Sequence, residues 1–92
     1  MFAEEKMISS HYFRVVLPIS GNQDSDHQFV YTAIERKFPD CVGHSLIRRS
    51  DELFLRLDET SPPTDEELAS FGEALGAQSI SRIARGEFWN NA

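Results

Sequence analysis

From His11 to Ile19 the chain alternates, with Phe13, Val15, Leu17 and Ile19 on one side and Tyr12, Arg14 and Val16 on the other. Aromatic and β-branched residues at a period of two suit a pleated, half-buried surface, so residues 11–19 are predicted to form the first strand. The polar run from Ser20 to Asp26 carries turn residues. It ends in Ser25 and Asp26, either of which can cap a helix by accepting a hydrogen bond from an orphan backbone N–H. Phe29, Val30, Ala33, Ile34, Phe38 and Cys41 then recur at three- and four-residue steps, while Glu35, Arg36 and Lys37 fall mostly outside that stripe. Pro39 disfavours the helical conformation at Phe38 and ends the helix near there.

Two short apolar runs follow, His44 to Arg48 and Leu53 to Leu57, and the polar Arg49-Ser50-Asp51-Glu52 between them suits a tight reversal. They predict a β-hairpin. In its second arm Leu53, Leu55 and Leu57 face the helices and Phe54, Arg56 and Asp58 the opposite side, the pattern of a sheet with a single buried face. A loop with Pro62-Pro63 leads into Thr64-Asp65-Glu66-Glu67. This is a capping box, in which the Thr64 hydroxyl and the Glu67 carboxylate satisfy reciprocal orphan N–H groups. Acids in the first turn favour the positive end of the helix dipole, and Leu68, Phe71, Ala74 and Leu75 supply a core stripe up to a stop at Gly76. In the last segment, QSISRIARGEFW, the three-residue spacing of Ile80 and Ile83 suits a helix or a bulged strand, whereas β-branched content and position favour a fourth strand. The order β-α-β-β-α-β predicts an α+β, ferredoxin-like sandwich: four antiparallel strands with both helices on one face. Residues 11–89 form its single domain, flanked by a flexible segment 1–10 and a tail 90–92.

Ninety-two residues leave room for one core, and 40% hydrophobic residues with ten aromatics are enough to fill it. The net charge of −6 opposes binding to free DNA, RNA or anionic membranes and favours basic partners. Between residues 51 and 73 stand Asp51, Glu52, Asp58, Glu59, Asp65, Glu66, Glu67 and Glu73 against Arg56 alone, a net of −7, which leaves +1 for all the rest. The single Cys41 makes no internal disulfide, which suits a reducing interior. MFAEEKMISS has neither the basic start nor the apolar run of a signal peptide, and no stretch reaches the ~20 apolar residues of a membrane span. A cytoplasmic protein is expected.

Chemistry has few footholds. Asp40-Cys41-Val42-Gly43-His44 holds three zinc-ligand types, but His11 and His27 lie in other segments and a structural site needs four ligands. A small buried Cys ending a helix and a His entering a strand explain the same residues, and no base with an orienting third group activates the thiol. Asp58/Glu59 could share a proton as acid and base, but in exposed turns nothing desolvates them. No GxxxxGK[ST] or GxGxxG cradles phosphate, so neither cofactor nor metal is expected. Acylphosphatases share the element order, yet their first-loop arginine has no counterpart in SGNQDSD. RNA-recognition motifs would use exposed Tyr12 and Phe54, yet the basic-Gly-aromatic pattern of their third strand is missing. A ferredoxin-like nucleic-acid-binding domain working through its open sheet face stays as the alternative function.

Two features suit a protein interface. The acidic stretch, with Asp51, Glu52, Asp58, Glu59, Asp65, Glu66 and Glu67, can meet a lysine- and arginine-rich groove, or equally serve as solvated surface. Arg48, Arg49, Arg82, Arg85, Phe88 and Trp89 are guanidinium and aromatic anchors of the kind enriched at binding hot spots or able to touch an RNA backbone, and Trp89 equally suits a cap on the core.

Over its full length, from MFAEEKMISSHYFRVVLPIS to SRIARGEFWNNA, the chain resembles the small phage-encoded anti-CRISPR proteins directed against type I-F systems. The resemblance is to the whole chain and not to a motif, so it assigns no role to a single residue. It implies a non-catalytic inhibitor that binds Cas protein subunits of the crRNA-guided Csy surveillance complex, with contact to crRNA, and stops capture of target DNA in the host cytoplasm.

Overall fold

The leucine parity of the hairpin's second arm organises the molecule. A computed structural model describes residues 7–17 and 23–91, with the backbone alone for residues 23–26. The elements are β1 (Ser9–Val16), α1 (Gln23–Lys37), β2 (Gly43–Arg49), β3 (Glu52–Glu59), α2 (Asp65–Leu75), β4 (Ser79–Arg82) and α3 (Arg85–Asn90). The four strands run antiparallel in the order β2-β3-β1-β4. This is the ferredoxin-like arrangement, with one helix more than the sequence pattern predicted.

β3 is central, and its register sets Leu55 opposite Phe13 of β1 and Leu46 of β2, and Leu53 opposite Val15 and Arg48. Leu53, Leu55, Leu57, Phe13 and Val15 are buried with Val30, Ala33, Ile34 and Phe38 of α1 and its end and Leu68, Phe71 and Leu75 of α2. The Phe38 and Phe71 rings, 5.1 Å apart, join the two helices. Two predicted core residues are not core: Phe29 is 52% exposed and Ala74 is exposed. Both line the groove between α1 and α2, because the buried arc of α1 is centred on Val30, Ala33 and Ile34, and Phe29 falls at its rim.

Boundaries also move. β1 starts at Ser9, so Ser9 and Ser10 belong to the sheet and not to a flexible segment 1–10. Its predicted end, Ile19, lies outside the described residues. α1 already includes Ser25 and Asp26 in its first turn, and their side chains, like residues 18–22, are outside the description. The hairpin turns on Ser50 and Asp51 alone, with Ser50 in the left-handed region at φ 56°. α2 is as predicted: Glu67 N–H donates to Thr64 Oγ1 (3.1 Å), Thr64 N–H donates to Glu67 Oε1 (3.0 Å), and Gly76 closes the helix at φ 67°. Loss of a cap such as Thr64 costs about 1 kcal/mol.

The predicted long fourth strand is the main correction. It ends at Arg82, Ile83 N–H donates to Tyr12 O (3.0 Å), and Ala84 turns the chain into α3. α3 crosses β1 and β3 on the side away from α1 and α2. Its Phe88 is 1% exposed and meets the Tyr12 ring at 5.3 Å, and outward-facing Phe54 is buried beneath it at 3% exposure. The sheet therefore has apolar cover on both faces, which overturns the single-buried-face expectation. A six-residue helix cannot hold itself together in water, so burial of Phe88 holds it. Arg49 holds its far end by donating from Nε and a terminal NH2 nitrogen to Asn91 O (3.1 and 2.8 Å), so Asn90 and Asn91 are structured and not a loose tail. Phe88→Ala should cost about 3 kcal/mol in denaturant unfolding, whereas Trp89→Ala, at a site 46% exposed, should cost less than about 1 kcal/mol; equal costs would mean that Trp89 carries the packing.

Candidate functional site

Strand parity separates the acids of residues 51–73. Glu52 and Asp58 share the α3 face with Phe54, and Glu59 shares the helix face with the three leucines. Asp51 and Glu52 lie at the turn end of β3 and Asp58 and Glu59 at the other, about 20 Å away at the usual rise per residue. The −7 segment is therefore divided and not one patch.

On the α3 face the charges pair. Arg14 donates to Glu52 Oε1 at 2.6 Å, which holds the Glu52 carboxyl below its ordinary value of 4.5 and raises the Arg14 guanidinium. Asp58 lies 3.4 Å from Arg56 Nε and accepts from Ser10 Oγ at 2.7 Å. Gly43 is opposite Asp58, and a Cβ there would come within 2.9 Å of Asp58 Oδ2, so a larger residue would have to displace the Asp58 carboxylate. Arg56 stands 6.0 Å from the Trp89 ring, and Arg49 is engaged with Asn91. An open groove of about 520 Å³ runs between Arg14, Glu52, Phe54, Arg82, Glu87 and Asn91. Tyr12 is half-buried and Phe54 buried, so the pair expected to offer an open stacking platform lies under α3. The arginines and Trp89 named as anchors do not form one cluster: Arg48 is half-buried on the helix face, donating to Leu17 O at 3.4 Å, and Arg85 is exposed at the start of α3.

The other end is different. Glu59 continues the leucine parity to the last position of β3, at 7% exposure the one buried charged residue among those described. It was expected in an exposed turn. It sits instead under the loop 60–63 and the start of α2, with its Oε2 buried and without a hydrogen-bond partner among the described residues. Burial, then the nearby Glu67 and Asp40 carboxylates, raise its pKa above the ordinary 4.5. Glu59, Asp40, Glu67 and the loop 60–63 enclose a cavity of about 270 Å³. Arg82 fixes the loop by donating to Pro63 O and, at 3.1 Å, to Asp65 Oδ1. Around the cavity Asp40, Asp65, Glu66 and Glu67 are exposed. Of these, Asp40 was singled out from the sequence only as a candidate zinc ligand and not with the acidic stretch, because it is distant along the chain and only the end of α1 brings it to the cavity. The inward Glu59 was legible, since positions 53, 55 and 57 point the same way.

Around Cys41 the geometry is structural. Its Sγ donates to Gly43 O at 3.0 Å, burial raises the thiol above its ordinary 9.0, and the His44 ring packs on Tyr31 at 4.7 Å. A raised thiol keeps its proton at neutral pH and is a poor nucleophile. Among the described residues no group of three or more His, Cys, Asp or Glu is arranged to hold a metal ion, and no helix is long and apolar enough to cross a membrane. No family model, curated protein or solved structure matches the chain.

Glu59 fixes the sign of a pH effect. Its raised native pKa means that the folded state holds the proton more tightly than the unfolded state, so stability falls as pH rises from 4.5 through the native value. Glu59→Gln removes this slope. Urea unfolding across that range should show the wild type losing stability relative to the variant as pH rises; parallel curves would mean that Glu59 is not desolvated.

Proposed function

We propose that this protein is an inhibitor that binds a basic, nucleic-acid-binding surface of a larger complex, and that the complex is the type I-F Csy surveillance complex in the cytoplasm of a phage-infected bacterium. Bound there, it blocks capture of target DNA by Cas subunits and approaches the crRNA they hold. The observation that carries this reading is the exposed acidic end of the domain. Asp40, Asp65, Glu66 and Glu67 project from a rigid support, and the Asp65 side chain is 98% exposed even though it pairs with Arg82.

Physically, such an end competes with DNA phosphates for the same lysines and arginines. Long-range attraction speeds the encounter, and the capping box holds the Glu67 carboxylate and Arg82 that of Asp65 before contact, so less ordering is lost on binding. The opposite face suits this task less well, because two of its carboxylates, Glu52 and Asp58, are already paired with Arg14 and Arg56. The alternative, nucleic-acid binding on an open sheet, would need the surface that α3 occupies.

The test is to incubate the Csy complex with the protein before adding target duplex. Capture should fall to background at saturating protein, and unchanged capture would refute the proposal. Glu66→Lys with Glu73→Lys reverses two exposed charges on one face of α2 and leaves the Thr64–Glu67 capping box intact. This pair should slow association and weaken inhibition about tenfold at low salt, with a smaller effect at high salt; equal inhibition would move the interface off this helix.

A further inference from the structure

We propose that the cavity between loop 60–63 and the start of α2 is a receptor for one lysine or arginine side chain of a protein partner, with Glu59 as its counter-charge. The identity of the partner rests on the function proposed above; the chemistry of the cavity does not.

Two independent observations meet here. One is the cavity itself, about 270 Å³, whose charged lining residues, Asp40, Glu59 and Glu67, are all acidic. The other is Glu59, 93% removed from solvent, with an Oε2 that no group among the described residues satisfies. A carboxylate withdrawn from water without a hydrogen bond or counter-charge is costly, and either a retained proton or a cation brought by a partner relieves that cost. Glu67 commits Oε1 to the Thr64 N–H, which fixes the carboxylate at the rim without using its second oxygen.

The lining selects the ligand. Phosphate and carboxylate groups meet three acids and are repelled. The acids are not grouped as metal ligands, since no set of three or more among the described residues is placed to hold an ion. An ammonium or guanidinium on an alkyl stem fits better: its head reaches Glu59, the Thr60 and Ser61 hydroxyls supply further acceptors, and Pro62 and Pro63 offer apolar wall to the stem. The site is also preorganised. Pro63 is buried, its carbonyl is held by Arg82, and the capping box fixes the α2 side.

The experiment is an amide NMR titration of the isolated protein with acetyl-Gly-Lys-Gly-amide and its arginine counterpart, with the norleucine tripeptide as control. The cationic peptides should give saturable shifts confined to the amides of Glu59, Thr60, Ser61, Thr64 and Glu67, and the norleucine peptide none. Glu59→Gln should bind at least about tenfold more weakly. Shifts spread over all exposed carboxylates, or equal affinity in Glu59→Gln, would overturn the proposal. Should that variant lose its native spectrum, Asp40→Asn at the exposed rim reads the same question, with a drop of about threefold expected and unchanged affinity contradicting it. If the peptides fill the cavity while the Csy complex ignores the wild-type chain, the site stands and the proposed function falls. If Glu59→Gln inhibits as well as wild type and binds the peptide equally, the site falls and the function stands.

Discussion

Everything in this molecule follows from the alternation of one strand. β3 sits between β1 and β2, and successive side chains must leave it on opposite faces. Leu53, Leu55 and Leu57 thereby go under α1 and α2, and Phe54 goes to the far side, where it requires cover of its own. α3 supplies that cover through Phe88, and its short length makes it dependent on the contact. The two apolar layers are thus coupled through the same eight residues, and a register slip by one would exchange leucines for charges on both faces at once.

The same alternation distributes charge. Had Glu52, Asp58 and Glu59 lain on a loop, they would have formed one solvated patch with Asp65 to Glu67. On a strand they are divided: two meet arginines on the α3 face, and one is driven into the end of the core. What remains exposed at the α2 end is smaller than the −7 segment suggests, and it is better defined, because Asp65, Glu66 and Glu67 are carried by a capped helix beside a pinned loop. An acidic surface that only maintains solubility has no need of this rigidity; a surface that must match fixed basic groups gains from it.

Most of the fold was legible because its signals are local. Period-two leucines, the Thr64–Glu67 capping box and Gly76 each determine structure within a few residues, and the element order then leaves the ferredoxin-like arrangement as the natural packing. α3 was not legible in the same way. Ile80, Ile83, Phe88 and Trp89 carry no clean period, and the helix forms only because Phe54 and Tyr12, more than thirty residues earlier, offer Phe88 a place to bury. The site was half legible. Asp65, Glu66 and Glu67 are exposed as expected, and Glu59 could have been placed inward by extending the leucine parity two residues. Asp40 and the cavity walls depend on tertiary proximity that no spacing encodes.

The central claim is that the acidic α2 end meets a basic surface of a larger complex while the α3 face does not. Hydrogen–deuterium exchange of the protein alone and in a stoichiometric mixture with the Csy complex addresses it directly. The account predicts slowed exchange over residues 58–67 and the adjoining turn at Asp40, with exchange in α3 and β4 unchanged. Protection confined to residues 79–91, or none anywhere at saturating complex, would contradict it.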